Sequence, residues 1–391
     1  MNTHLVEKKY NLLEILLYFF CFFPFVTVKF IDIGTDMQPY VLLIAALYLL
    51  LNIKIFKINI FYIFMLAFST VLFLISFLFD ASIMTVFRAY YNYICLTLVA
   101  MAVCQCTKKH CGFNEKLIKL FIWIWLFVAV VQLFVDRSFL SFIVSNFRTS
   151  SNRGVCSLTS EPSFYGYMCF FALIISRKFK KNRNFYSVLL VIQIVFFAQS
   201  AVTLVYLMVF AGCVGLKYVF SRSVTKSLLI IGAVIIMVPF VWKIVSENMA
   251  SSRIVVIINN FLEDPSLLKK DESIMARFGD IIVSIESFLE DFGLPHGFTK
   301  FITPAGRIMS GYGTLLHEFG IVGLVYIFLI FKKIKLSFNA SYAMAITVVM
   351  FSAIQIGIPI FGFLIEFDNK CACYKGEGVM DIKQKKKGHY S

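Results

Sequence analysis

Charge is what this chain has least of. Only 15% of its 391 residues are Asp, Glu, Lys or Arg, while 60% are hydrophobic and 17% aromatic, with a mean hydropathy of +0.83. Soluble domains are roughly 45–50% apolar, so an ordinary soluble fold is excluded. Other devices are missing too. No P-loop, dinucleotide fingerprint, nucleophilic triad or metal cluster is visible. Most of the ten cysteines lie inside apolar runs, as Cys21, Cys95, Cys104, Cys169 and Cys213 do. There they act as small hydrophobes, and none has metal-ligand spacing with a histidine. Cys371-Ala-Cys373 is too closely spaced for a zinc or redox motif. The first apolar run, Asn11 to about Val28, is followed by no small-residue cleavage site, which predicts a retained span.

What is present is a series of long apolar runs separated by short polar ones. That pattern predicts an all-α, polytopic integral membrane bundle of about 11–12 spans in a single domain. The predicted spans after the first run from about Tyr40 to Leu51, Ile58 to Phe79, Thr85 to Cys104, Leu117 to Val135 and Ser163 to Ser176. Others follow at about Phe185–Gln199, Ala201–Phe220, Ser227–Val245 and Leu315–Phe331, and residues 338–367 read as two more, the second short. The net charge of +15 sits in short loops beside spans, where it sets orientation, so it does not argue for nucleic acid, and none is expected as a partner. Five of the eight residues from Arg177 to Asn184 are basic, so that loop is expected inside. Counting spans back puts the N-terminus inside, in agreement with Lys8 and Lys9, and residues 136–162 outside.

The longest polar stretch, residues 246–310, is then outside as well, and it holds nine acids against six bases. Within it Ile254, Ile257, Ile258, Phe261 and Leu262 recur at helical spacing, as do Phe278, Ile281, Ile282, Ile285, Phe288, Leu289 and Phe292. Acids and serines fill the opposite face of the second set. Two amphipathic helices lying on the membrane or capping the bundle fit this pattern.

One loop stands out: Arg153-Gly154, then Ser160-Glu161-Pro162-Ser163 and Gly166. Ser160 reads as a helix cap, with Glu161 and Pro162 in the first turn. Glu161 there either complements the helix dipole or does chemistry. Arg88, Arg153, Arg277 and Arg307 all open outer-face elements, where the positive-inside rule would not put them. Salt bridges within the loop would account for each singly. A shared anionic ligand, a lipid headgroup or lipid diphosphate, would account for the set, because the guanidinium fork donates two parallel hydrogen bonds to a phosphate. His296 and His317, in or beside the outer loop, are surface residues or proton-transfer groups.

These residues resemble the O-antigen polymerase family. Arg153-Gly154 … Glu161-Pro162-Ser163 … Gly166 is similar to its R-G…E-P-S…G signature. Arg277-Phe-Gly-Asp with the helix to Leu294-Pro295-His296-Gly297-Phe298 resembles its R…P-L-x-G-x-G-F passage, in compressed form. Gly320-Ile321-Val322-Gly323-Leu324 resembles its G-I-x-G-L span opening, and Arg88 stands where the family often has an early arginine. The lysine-rich tail after Phe367 departs from the family. Ser310-Gly311-Tyr312 stands where the related O-antigen ligases carry a histidine-asparagine pair.

The resemblance implies a GT-C-like glycosyltransferase of the bacterial inner membrane. Its substrates would be oligosaccharide repeat units on undecaprenyl diphosphate, and a chain-length regulator would be a possible partner. No cofactor or metal is implied. On this reading Arg88, Arg153, Arg277 and Arg307 bind the diphosphate, and Glu161, with His296 as alternate, acts on the acceptor hydroxyl. The rivals are an O-antigen ligase and a transporter; the latter should show charges deep within spans or an internal repeat.

Overall fold

The computed structural model describes residues 10–27, 35–53, 60–77, 83–149, 154–220, 283–298, 310–352 and 354–367, with single residues at 243, 246, 255 and 259. Everything below concerns these residues. They are helical, without strands; one isolated antiparallel bridge joins Val26 and Val144.

Local chemistry explains where the helices begin and end. α1, Leu12–Phe22, opens on a reciprocal capping box between Asn11 and Glu14. It stops short of the predicted Val28 because Pro24 cannot continue it. α2 (Tyr40–Leu51), α3 (Ile60–Ser76) and α4 (Ile83–Lys109) follow. Next comes α5 (Glu115–Phe134), whose Leu117 N–H is capped by Asn114. α6 is Pro162–Ser176 and α7 is Arg183–Ile192, extended by a π-helical stretch, Gln193–Ala198. α8 is Ala201–Phe220, α9 Gly311–Phe319, α10 Ile321–Ser337, α11 Ala340–Met350 and α12 Pro359–Glu366.

α4, α5 and α8 are long and apolar enough to cross a membrane; the other apolar helices are shorter. Large hydrophobics such as Leu50, Leu51, Phe127 and Phe328 stay exposed on the outer faces of α2, α5 and α10. Such apolar exteriors suit lipid. α6 and α12, by contrast, are apolar and buried almost throughout, as expected of helices enclosed on all sides. α12 packs against α4, α1, α10 and α6. α6 in turn is held by α7, the π-helical stretch and α8.

One expectation is corrected. The single span read from Leu315 to Phe331 is two helices, broken at Gly320, whose φ is 56°. A side chain there would also overlap the backbone of Gly293 and Leu294, so only glycine fits. The break makes room for the 293–295 turn, whose Gly293 carbonyl accepts from Ile321 N–H at 2.7 Å.

The outer-loop helix is described over its second half. Residues 283–290 are helical and end where Phe292 and Gly293 take left-handed backbone. Its serines point inward, while its acids Glu286 and Glu290 stay exposed. Ser284 and Ser287 are buried, while Ile285, Leu289 and Phe292 are exposed. The predicted first amphipathic helix, the ninth span and the lysine-rich tail lie outside the described residues.

Candidate functional site

The loop between α5 and α6 is a built structure. Gln132 anchors it: its amide nitrogen donates to the carbonyls of Phe139 and Ser157, and its amide oxygen accepts from Ser157 N–H. Ser157 sits at φ 51° and its hydroxyl donates to the Trp125 carbonyl at 2.9 Å. Gly154 lies against the end of the π-helical stretch, where a Cβ would overlap the Ala198 carbonyl. Next to it Val155 N–H donates to the Phe197 carbonyl at 2.8 Å. Two glycine-dependent contacts thus underlie motifs singled out above, one at Gly154 and one at Gly320.

Glu161 is the N-cap of α6, one residue later than predicted, because Ser160 turns inward and is fully buried. The Glu161 side chain makes no capping bond. Its carboxylate is half-buried and accepts from the Ser163 hydroxyl, while Thr159 donates to its backbone carbonyl at 2.9 Å. The carboxylate therefore stands at the mouth of a buried central helix without being spent on the helix backbone.

Arg148 is a residue that sequence reasoning missed. Its N–H donates to the Ser160 carbonyl at 2.7 Å, its carbonyl accepts from the Cys156 thiol at 3.3 Å, and its guanidinium pairs with Asp36 at 2.6 Å. Burial pushes the Cys156 thiol up to about 12; the nearby Glu161 carboxylate adds to this, and Arg137 and Arg148 oppose it. No short motif would have found Arg148, since Asp36 lies 112 positions away.

A second polar group forms where the 283–298 segment meets α9. The His296 ring stacks on that of His317, with centroids 4.2 Å apart and planes 15° apart. His296 Nε2 lies 2.7 Å from the Asp291 carboxylate, and Nδ1 lies 3.1 Å from the His317 carbonyl. Both ring nitrogens face acceptor oxygens. His317, read as a surface residue or a proton-transfer group, is buried, with Nδ1 3.5 Å from the Ser287 hydroxyl, so the surface reading fails. Beside it Glu318 is buried and accepts from the Tyr93 hydroxyl. The Tyr93 ring stacks on Phe298 at 5.6 Å, and Phe298 N–H donates to Ser76 at 2.7 Å. These bonds tie the segment to α3 and α4. Glu318, Tyr93 and Ser287 were not picked out from the sequence, because the first two lie 225 positions apart and serines carry no motif.

Of the predicted arginines, Arg88 is described and lies exposed in the first turns of α4. Arg153, Arg277 and Arg307 lie outside the described residues, so their convergence on a ligand stays an expectation. A donor group that sequence reasoning did not assemble is formed by Glu14, Cys106 and His110; the last two stand one helical turn apart, which corrects the reading that no cysteine has metal-ligand spacing with a histidine. Searches of family models, curated proteins and solved structures find nothing that matches this chain.

Proposed function

We propose that this chain is an O-antigen polymerase, joining undecaprenyl-diphosphate-linked oligosaccharide repeat units at the outer face of the bacterial inner membrane. In this reading the protein is a polytopic, GT-C-like bundle with its N-terminus in the cytoplasm. The observation that carries the proposal is Glu161: a half-buried carboxylate at the mouth of buried α6, within a family-like signature and making no capping bond.

The chemistry follows from those groups. The acceptor hydroxyl of one repeat unit attacks the anomeric carbon of the chain being transferred. The bond from that carbon to the lipid diphosphate breaks, and its electron pair leaves with the phosphate oxygen. Glu161 takes the hydroxyl proton. Arg88, Arg153, Arg277 and Arg307 bind the diphosphate and stabilise its developing charge. His296 is the alternate base.

The exposed Ile285, Leu289 and Phe292 give the 283–290 helix an apolar edge for a lipid-facing entrance. A transporter is the weaker reading. The buried carboxylates Glu14, Glu318 and Glu366 each sit within one turn of a helix end, and each has a hydrogen-bonded partner. The test is deletion of the gene in its host. Surface glycan should collapse from a ladder to single repeat units, and restoration should require Glu161; a ladder that persists in the deletion strain would refute the proposal.

A further inference from the structure

The first turn of α1 and the last turn of α4 meet in a cluster that the polymerase reading does not use. The Glu14 side chain is fully buried, and so is Cys106. The His110 side chain is 3% exposed. Cys106 and His110 stand one helical turn apart, and His110 N–H still donates to the Cys106 carbonyl at 3.2 Å. Their thiol and imidazole therefore share a face. A carboxylate oxygen of Glu14, a ring nitrogen of His110 and Cys106 Sγ all lie within 4.8 Å of one another.

The donors are also oriented. Tyr10 stacks on His110 with ring centroids 3.8 Å apart and planes 12° apart. Asn11 N–H holds Glu14 Oε2 at 2.9 Å, the same oxygen that faces His110 Nε2 at 2.9 Å. Lys109 Nζ lies 2.6 Å from the other oxygen, Oε1, and its side chain is one-third exposed.

We propose that Glu14, Cys106 and His110 form a binding site for a divalent transition metal of the zinc class. A nitrogen, a thiolate sulfur and a carboxylate oxygen are the donor set such ions take, and three protein ligands leave a fourth position for water. Binding converts the Cys106 thiol to a thiolate and releases one proton to solvent, while neutral His110 coordinates through Nε2. The Lys109 ammonium gives up its place on Glu14 and swings outward along its exposed stem. Lys109 is thus the competing cation, and the metal would clamp α1 to α4.

The experiment uses the full chain, purified in detergent through a tag without histidine. Cys111, Cys371 and Cys373 are changed to Ser so that no exposed or tail thiol contributes. Zinc chloride is titrated against a chromophoric chelator, and cobalt(II) chloride serves as the spectroscopic probe. One zinc per chain is expected, with a thiolate-to-cobalt charge-transfer band. Cys106→Ser should abolish that band, and His110→Ala should weaken zinc binding by about tenfold or more. Lys109→Met should tighten it, a gain that a misfolded variant cannot mimic. Absence of stoichiometric zinc binding, a charge-transfer band that survives Cys106→Ser, or no tightening in Lys109→Met would overturn the proposal.

Discussion

His296 and His317 are stacked face to face, 4.2 Å apart, and the main chain reinforces the pairing: His296 N–H donates to the His317 carbonyl at 3.1 Å. This contact locks the 283–298 segment onto α9 and sets the angle at which His296 meets Asp291.

If His296 acts on the substrate, removing its ring should cost more than removing its partner. His296→Ala is expected to lower turnover about 10²-fold. Asp291→Asn should cost less, because the amide oxygen still accepts from Nε2. Turnover per folded molecule from labelled lipid-linked repeat units checks this, and wild-type rates in His296→Ala would remove the residue from the site.

Glu161 carries the sharper expectation. Glu161→Gln keeps the shape and removes the charge, so turnover should fall by about 10²–10⁴-fold while lipid-linked substrate still binds. The carboxylate makes no capping bond, so protein abundance should change little. Reduced abundance with normal turnover per molecule would mean that Glu161 has a structural role only.

The buried pair between Lys333 and Glu366 should be a large contributor to stability. Glu366 is 1% exposed and bonded by both Lys333 and the Tyr62 hydroxyl; Lys333 is 19% exposed. Lys333→Met strands a buried carboxylate and is expected to destabilise by about 3–5 kcal/mol. Glu366→Gln should cost less, since the Lys333 stem can carry its charge towards solvent. Thermal unfolding in detergent ranks the two, and the opposite order would contradict the pairing.

Orientation can be read by cysteine labelling in a background without native cysteines. An impermeant reagent on intact cells should label position 270 and spare position 180, the centre of the basic loop. The reverse pattern would invert the protein and remove Glu161 from the outer face.

Much of the helical frame was legible in the sequence. Unbroken apolar runs bounded by Asn114, Pro162 or Lys108-Lys109 correspond closely to α5, α6 and α4. The break at Gly320 was legible only in part: Gly320-Ile321-Val322-Gly323-Leu324 resembled a span opening, but the cause is a distant turn at Gly293. The apolar spacing of the 283–290 helix was legible, but the burial of Ser284 and Ser287 was not, because the residues they pack against lie elsewhere in the chain. Glu161 was found through the hydroxyl, acid and proline around it. Arg148, Tyr93 and Glu318 were missed because their partners lie far along the chain, and so was the Glu14, Cys106 and His110 cluster.

The most direct measurement is the product made by the purified protein when given only lipid-linked repeat units. The expected result is a series of lipid-linked glycans, each longer than the last by one repeat unit, with lipid diphosphate released at every step and no nucleotide sugar or added acceptor required. Repeat units recovered unchanged from properly folded protein, or extended only when a lipid A core is supplied, would contradict polymerase activity.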